Sequence, residues 1–111
     1  VQPMPDEVLA SFAGIAADPT VYHTMNGPSE FHCIGSLRNW DITGQLKHIR
    51  ATTLLISGRH DEATAAVMRP FADRIARNCW VIFENSSHMP HVEETAACLA
   101  EINGFMESED A

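Results

Sequence analysis

The sequence has little positive charge. Its 111 residues contain seven Lys and Arg against fifteen Asp and Glu, which gives a net charge of -8 at neutral pH. Nucleic acids are bound mainly through clustered cations that neutralise phosphates, so this balance opposes a nucleic-acid partner. We therefore expect a ligand that is not a polyanion.

The sequence also lacks the features of membrane insertion and of a disulfide framework. No apolar run approaches the roughly 18 residues of a transmembrane helix, and the start of the chain does not combine a basic with an apolar segment as a signal peptide does. The three cysteines, Cys33, Cys79 and Cys98, are odd in number and widely spaced. This pattern favours buried thiols in a reducing compartment. We expect a cytoplasmic protein that does not contact membranes.

What is present is enough apolar sequence for a core, 45% of all residues, arranged with two different periods. Residues 53–57 and 79–83 are short apolar runs, typical of strands buried on both faces of a parallel sheet. Helical spacing of apolar residues predicts a short helix over 42–49 and longer helices over 64–76 and 92–106. The sequence therefore predicts an α/β fold in which two adjacent parallel strands are flanked by helices.

The first part of the chain has a different character. Residues 3–28 predict two helices separated by a break at Asp18-Pro19, because proline disfavours helical backbone in the residue before it. Residues 29–41 show no clear period, and we expect a connecting segment that packs through Phe31 and Trp40. The predicted boundary between the two parts of the chain lies after residue 41.

Ionisable residues directly follow both predicted strands. Asp61 lies in the segment Arg-His-Asp-Glu after the first strand, and His88 lies in Ser-Ser-His-Met-Pro-His after the second. In open parallel sheets the ligand site lies beyond the carboxyl ends of the strands, so both groups are expected to face one crevice. The simpler alternative is that Asp61 caps a helix and that His88 is solvated or bonded to backbone.

Four segments resemble the carboxyl-terminal portion of proline iminopeptidases, which are serine aminopeptidases of the α/β-hydrolase fold. They are NGPSEF (26–31), NWDIT (39–43), TTLLISGRHDEAT (52–64) and ENSSHMPHVEE (84–94). They occur in the family's order and at its usual distances, and the resemblance covers most of residues 20 to 106. It implies that residues 1–41 are the end of a helical cap and a connector. Residues 42–111 would then be the carboxyl-terminal part of an α/β-hydrolase core.

The resemblance also implies roles for individual residues. Asp61 would be the triad carboxylate and His88 the triad base, while Glu30 and Glu62 would hold the free amino terminus of a peptide or amino-acid amide substrate. Two carboxylates facing a desolvated pocket are a direct way to recognise a cationic amino terminus. The simpler alternatives are a solvated loop acid for Glu30 and a carboxylate in the first turn of a helix for Glu62. No cofactor is implied.

The nucleophile of such a triad is not found in these 111 residues. No G-x-S-x-G segment occurs, and the nearest string, Gly-Pro-Ser-Glu-Phe around Ser29, follows a helix-breaking turn where the nucleophile elbow follows a strand. Ser86 and Ser87 lie beside His88, where we expect them to bond backbone. The chain is thus expected to be inactive alone, with the amino-terminal half of the hydrolase as its missing partner.

Three other functions stay open at this stage. The chain could belong to a different α/β-hydrolase, an amidase, esterase or lactonase. His88 and His91, with His60, Asp61 and Glu93 nearby, offer ligands that zinc accepts, although Pro90 separates the two histidines and we expect His91 to lie beside the start of the final helix. The chain could also be a non-catalytic assembly module that pairs through its open sheet edge.

Overall fold

The computed structural model describes residues 3–110, with side chains up to Ser108. In chain order, its elements are α1 (Asp6–Ala17), α2 (Thr20–Met25), a 3-10 helix (Thr43–His48), β1 (Thr53–Gly58), α3 (Ala65–Arg74), β2 (Asn78–Phe83), α4 (Pro90–Glu93) and α5 (Thr95–Asp110). The described residues divide into two compact units, one up to Asp41 and one from Ile42 onwards. None of the described helices has the length and hydropathy that a membrane span needs.

The first unit contains the two helices expected from its sequence. Carboxylates at Asp6 and Glu7 occupy the first turn of α1, where they interact favourably with the positive end of the helix dipole. After α1 ends, the Asp18 carboxylate accepts hydrogen bonds from the amide and the hydroxyl group of Thr20, at 3.2 and 2.6 Å, and so organises the start of α2. The break at Asp18 is therefore confirmed.

The connecting segment of this unit does not pack through its aromatic residues. The residues Phe31 and Trp40 are 76% and 63% exposed. The segment instead returns to the end of α2 through backbone hydrogen bonds, among them those from the amides of Ile34 and Gly35 to the carbonyl of Asn26. The expectation of aromatic packing was wrong because main-chain contacts hold this segment.

The second unit is built on the predicted parallel pair. β1 and β2 are hydrogen-bonded in parallel, in a register that runs from Thr53 opposite Asn78 to Gly58 opposite Phe83. The core beneath them contains buried Leu46, Leu55 and Ile75. Partly buried residues packed against this core are Ile42, Met68, Phe71, Ala72 and Trp80. The register brings the carboxyl ends of both strands to the same edge of the sheet, as predicted.

Three local expectations are corrected. The helix expected over 42–49 is a 3-10 helix, and the helix expected over 92–106 is divided into α4 and α5 by non-helical backbone at Glu94 (φ -130°, ψ 51°). Of the three free cysteines, only Cys98 is buried, whereas Cys79 is exposed and Cys33 half-buried. Cys79 lies near the start of β2, and burial on its face of the strand increases towards the carboxyl end, where Val81 is half-buried and Phe83 is buried.

Gly58, the last residue of β1, lies unusually close to the loop that follows β2. A Cβ atom at this position would overlap the backbone carbonyl groups of Ser86 and Ser87. Since backbone cannot rotate away as a flexible side chain can, only glycine permits this approach.

We expect Gly58→Ala to lower the free energy of unfolding by about 1 to 3 kcal/mol, as overpacking of a close contact does. Gly104→Ala is the matched control, because an added Cβ at Gly104 in α5 meets no atom within 4 Å. Alanine also favours the helix, so the free energy of unfolding of Gly104→Ala should rise by up to about 1 kcal/mol. Urea denaturation of both variants measures the difference, and an unchanged midpoint for Gly58→Ala would contradict the close approach.

Candidate active site

The loops that follow β1 and β2 are joined at the carboxyl edge of the sheet. The amide of Arg59 donates to the carbonyl of Phe83 at 2.8 Å, and the amide of His60 donates to the carbonyl of Ser86 at 3.0 Å. Arg59 also forms a two-pronged ion pair with Glu84, at 2.8 and 2.6 Å, which lowers the pKa of Glu84. The two loops therefore have a defined position relative to each other.

Asp61 and His88 are in contact across these loops. Nδ1 of His88 lies 3.0 Å from Oδ1 of Asp61, and the same oxygen accepts a hydrogen bond from the amide of Ala63 at 2.9 Å. The Asp61 side chain is 7% exposed, whereas the His88 side chain is 64% exposed. The two residues predicted to face one crevice are thus in contact, as a buried carboxylate and an accessible imidazole.

The hydrogen bond from the amide of Ala63 also argues against the alternative that Asp61 is a helix cap. The residue that caps α3 is Thr64, and Asp61 lies three residues before it, in a tight turn closed by its own side chain. Glu62 likewise precedes α3 and is not in its first turn. Neither carboxylate is explained as a helix cap.

The protonation state of Asp61 follows from its surroundings. Burial raises the pKa of this carboxyl group, but the hydrogen bonds from Ala63 and His88, together with the charge of His88, lower it by more. The resulting pKa lies below the ordinary value of 3.8. Asp61 is therefore ionised at neutral pH and acts as an acceptor.

An ionised Asp61 also selects the tautomer of His88. A carboxylate can only accept hydrogen bonds, so the Nδ1 atom that faces it carries the proton. In the neutral ring Nε2 is then the basic nitrogen, and protonation of Nε2 gives an imidazolium that the nearby negative charge stabilises. This arrangement can take a proton from an incoming group and return it.

The serines before His88 contact carboxylates and do not bond backbone as expected. The hydroxyl of Ser86, which is completely buried, donates to Oε2 of Glu94 at 2.5 Å. The hydroxyl of Ser87 donates to Oε1 of Glu93 at 2.7 Å. A hydroxyl bonded in this way is held as a donor by a structural carboxylate, so neither serine is presented as a nucleophile.

The two residues expected to bind an amino terminus lie in different units. Glu62 is exposed and adjacent to Asp61. Glu30 is exposed in the first unit, where its carboxylate accepts a hydrogen bond from the hydroxyl of Tyr22, and its amide donates to the same hydroxyl at 3.1 Å. Tyr22 therefore holds both the backbone and the side chain of Glu30.

The histidines do not form a metal site. Among the described side chains, residues 3–108, no group of three or more His, Cys, Asp or Glu is arranged to hold a metal ion. His91 lies inside α4, not beside the start of the final helix as expected, and is exposed. The Glu93 carboxylate is occupied by Ser87 and Met89.

Comparison with solved structures defines the class of fold. VinJ is 44% identical, with a TM-score of 0.90 over 97% of this chain and 36% of its own chain. The proline iminopeptidase of Mycobacterium smegmatis is 40% identical, with a TM-score of 0.93 over 99% of this chain and 37% of its own. The chain therefore has the carboxyl-terminal part of an α/β-hydrolase fold, with two parallel strands and flanking helices.

Sequence comparison gives the narrower relationship. The proline iminopeptidase of Saccharolobus solfataricus is 41% identical over 104 residues, which are 94% of this chain and 33% of that protein. No protein-family model matches the chain. The chain is a homologue of the proline iminopeptidases and corresponds to their carboxyl-terminal portion. It spans about a third of the length of the curated relatives that it matches.

Sequence reasoning missed the structural role of Glu93 and Glu94. The apolar spacing predicts both residues in one helix over 92–106, and the sequence offers Glu93 only as a candidate zinc ligand. The signal in the sequence is the position of these two acids, five and six residues after His88, with two serines directly before that histidine. Adjacent acids at that distance can return to a loop and accept its amide and hydroxyl hydrogens.

Proposed function

We propose that this chain is the carboxyl-terminal part of a serine aminopeptidase of the proline iminopeptidase type, which releases an amino-terminal residue, preferably proline, from peptides. The observation that carries the proposal is the contact between a buried, ionised Asp61 and the accessible ring of His88. On this proposal, the nucleophilic serine and the oxyanion hole would lie outside this chain, in the rest of the enzyme.

In the proposed reaction, each residue has a chemical task. His88 accepts the proton of the serine hydroxyl as that oxygen attacks the carbonyl carbon, and then gives the proton to the leaving amine as the C–N bond breaks. Water, deprotonated by the same imidazole, then attacks the acyl-serine ester, and the proton returns to the serine oxygen as the amino-terminal residue is released. Asp61 keeps the ring in the productive tautomer and stabilises the imidazolium. Glu30 and Glu62 bind the cationic amino terminus of the substrate, which restricts cleavage to the first peptide bond.

The exposed apolar surface of the chain supports the existence of a missing half. A two-stranded sheet is marginally stable alone, and parallel sheets are normally covered on both faces. Here large apolar residues are about half exposed on several helices, including Leu9 and Phe12 of α1, Val67 of α3, and Leu99 and Met106 of α5. In this proposal the first unit is the end of the helical cap. The enzyme would act in the reducing cytoplasm.

The test is a chimera in which this chain replaces the matching carboxyl-terminal part of the Mycobacterium smegmatis enzyme. We expect release of proline from a proline amide, and little activity from either part separately, since neither carries the whole triad. Activity on esters but not on amides with a free amino group would indicate a different α/β-hydrolase. A stable chimera inactive on both would favour a non-catalytic assembly module.

A further inference from the structure

We propose that Glu93 is a positioning residue for His88, because its carboxylate accepts hydrogen bonds from the amides of the two residues adjacent to that histidine. Oε2 of Glu93 accepts hydrogen bonds from the amide of Ser87 at 2.8 Å and from the amide of Met89 at 3.2 Å. Oε1 accepts the hydroxyl of Ser87 at 2.7 Å. Three hydrogen bonds to one side chain thus hold Ser87 and Met89, the neighbours of His88.

His88 needs such support because packing does not enclose its ring. With 64% of its side chain exposed, most of the imidazole surface is not covered by neighbouring residues. Its direction depends on the backbone at 87–89, since that backbone sets the direction of the Cα–Cβ bond. Holding the amides of Ser87 and Met89 therefore holds the Cα–Cβ bond of His88 in the direction from which Nδ1 reaches Asp61.

The predicted last helix is interrupted directly after Glu93. Glu93 ends α4, and the backbone at Glu94 leaves the helical conformation before α5 begins. The side chains of Glu93 and Glu94 both contact the loop formed by residues 85–89. Glu94 accepts the amide of Asn85 at 3.2 Å and the hydroxyl of Ser86 at 2.5 Å, so the neighbouring glutamate anchors the part of the loop before Ser87.

Glu93 is ionised in this position, which makes the three hydrogen bonds charge-assisted. The hydroxyl of Ser87 lowers the pKa of Glu93, burial raises it, the amides of Ser87 and Met89 lower it, and the charge of Asp61 raises it. The net pKa lies below the ordinary value of 4.5. Bonds of this kind are roughly twice as strong as neutral ones.

The consequence for catalysis rests on the proposed function. If Glu93 acts only through the position of His88, its loss should reduce the rate of the chemical step and leave substrate binding unchanged. A displacement of about 1 Å at a reacting group can cost on the order of 100-fold in rate. We therefore expect Glu93→Gln in the chimera to lower kcat roughly 10- to 100-fold, with KM changed by less than about twofold.

The direct measurement is the tautomer of His88 in the 111-residue chain, observed by ¹⁵N NMR of labelled histidine rings above pH 8. In the unaltered chain the form protonated on Nδ1 should predominate, because Asp61 selects it. In Glu93→Gln this preference should decline towards the mixture of an unrestrained imidazole, since a single amide oxygen cannot accept all three hydrogen bonds. Ser87→Ala, which removes the shortest of the three contacts and keeps the charge, should produce a smaller change in the same direction.

Glu101→Gln provides the matched control, because Glu101 is exposed on α5 and its replacement changes the charge equally. This variant should retain the tautomer, kcat and KM of the unaltered protein. An unchanged tautomer in both Glu93→Gln and Ser87→Ala, or a loss of kcat no larger than in Glu101→Gln, would overturn the proposal. If Glu93→Gln gave one of these results while His88→Ala lost activity, the proposed function would stand and only the role of Glu93 would be contradicted.

Discussion

Replacing His88 by alanine in the chimera is expected to lower kcat on the order of 10⁴- to 10⁶-fold, whether or not the amino terminus of the substrate is free. The imidazole is the group that takes the proton of the nucleophile, and alanine cannot do so. Asp61→Asn should approach this loss, about 10⁴-fold, because an amide in place of the carboxylate no longer requires a proton on Nδ1. Steady-state kinetics on a proline amide and on a small uncharged ester measure both effects.

His91→Ala is the matched control for this experiment. His91 is three residues away, is exposed and lies in α4. We expect its replacement to leave kcat within about twofold of the unaltered value, since surface substitutions away from a site have small effects. Equal losses in His88→Ala and His91→Ala would favour a function that uses both histidines and would contradict the triad. Retained activity in His88→Ala would remove the proposed function.

Replacing Glu30 by glutamine is expected to change specificity and not the general capacity for hydrolysis. The variant keeps the shape of the side chain and removes its charge. In the chimera, where the bound substrate would cover this carboxylate, it should cost about 2 to 5 kcal/mol in kcat/KM for a substrate with a free amino terminus, the range for loss of one partner of a buried charge pair. Hydrolysis of a small uncharged ester should be retained, because that substrate has no ammonium group to bind.

The control for Glu30 is Glu7→Gln, an exposed acid in the first turn of α1 in the same unit. It makes the same change in net charge and should leave kcat/KM unchanged on both substrates. If the charge acted only as a general electrostatic effect, kcat/KM for the free-amine substrate would fall equally in Glu30→Gln and Glu7→Gln. Equal losses of Glu30→Gln on the charged and the uncharged substrate would remove the aminopeptidase assignment and leave a generic α/β-hydrolase.

The parallel strands and the contact between Asp61 and His88 were predictable from the sequence. Each strand is a nearly continuous apolar run followed at once by charged residues, a pattern typical of strands in parallel sheets. The carboxyl ends of parallel strands meet at one edge, so the two residues were expected there before any distance was known. The same edge carries the observed 3.0 Å contact.

Other features depended on interactions between residues that are not neighbours in the chain. Apolar spacing predicts one helix over 92–106, and it contains no signal for the interruption at Glu94, because that break accompanies hydrogen bonds to Asn85 and Ser86. The hydroxyl groups of Ser86 and Ser87 were expected to bond local backbone. Carboxylates that fold back from the next element bind these hydroxyl groups more strongly, since ionised acceptors form the stronger bonds.

Local sequence pattern therefore determines which segments of this protein are strands and helices, and which chemical groups follow each strand. The period of apolar residues is a property of the chain itself and survives in any context that buries one face. The direction of His88, the ionisation of Asp61 and the task of Glu93 were decided only in the folded chain. Each depends on distances of about 3 Å between groups separated by several to many residues, and only tertiary packing sets such distances.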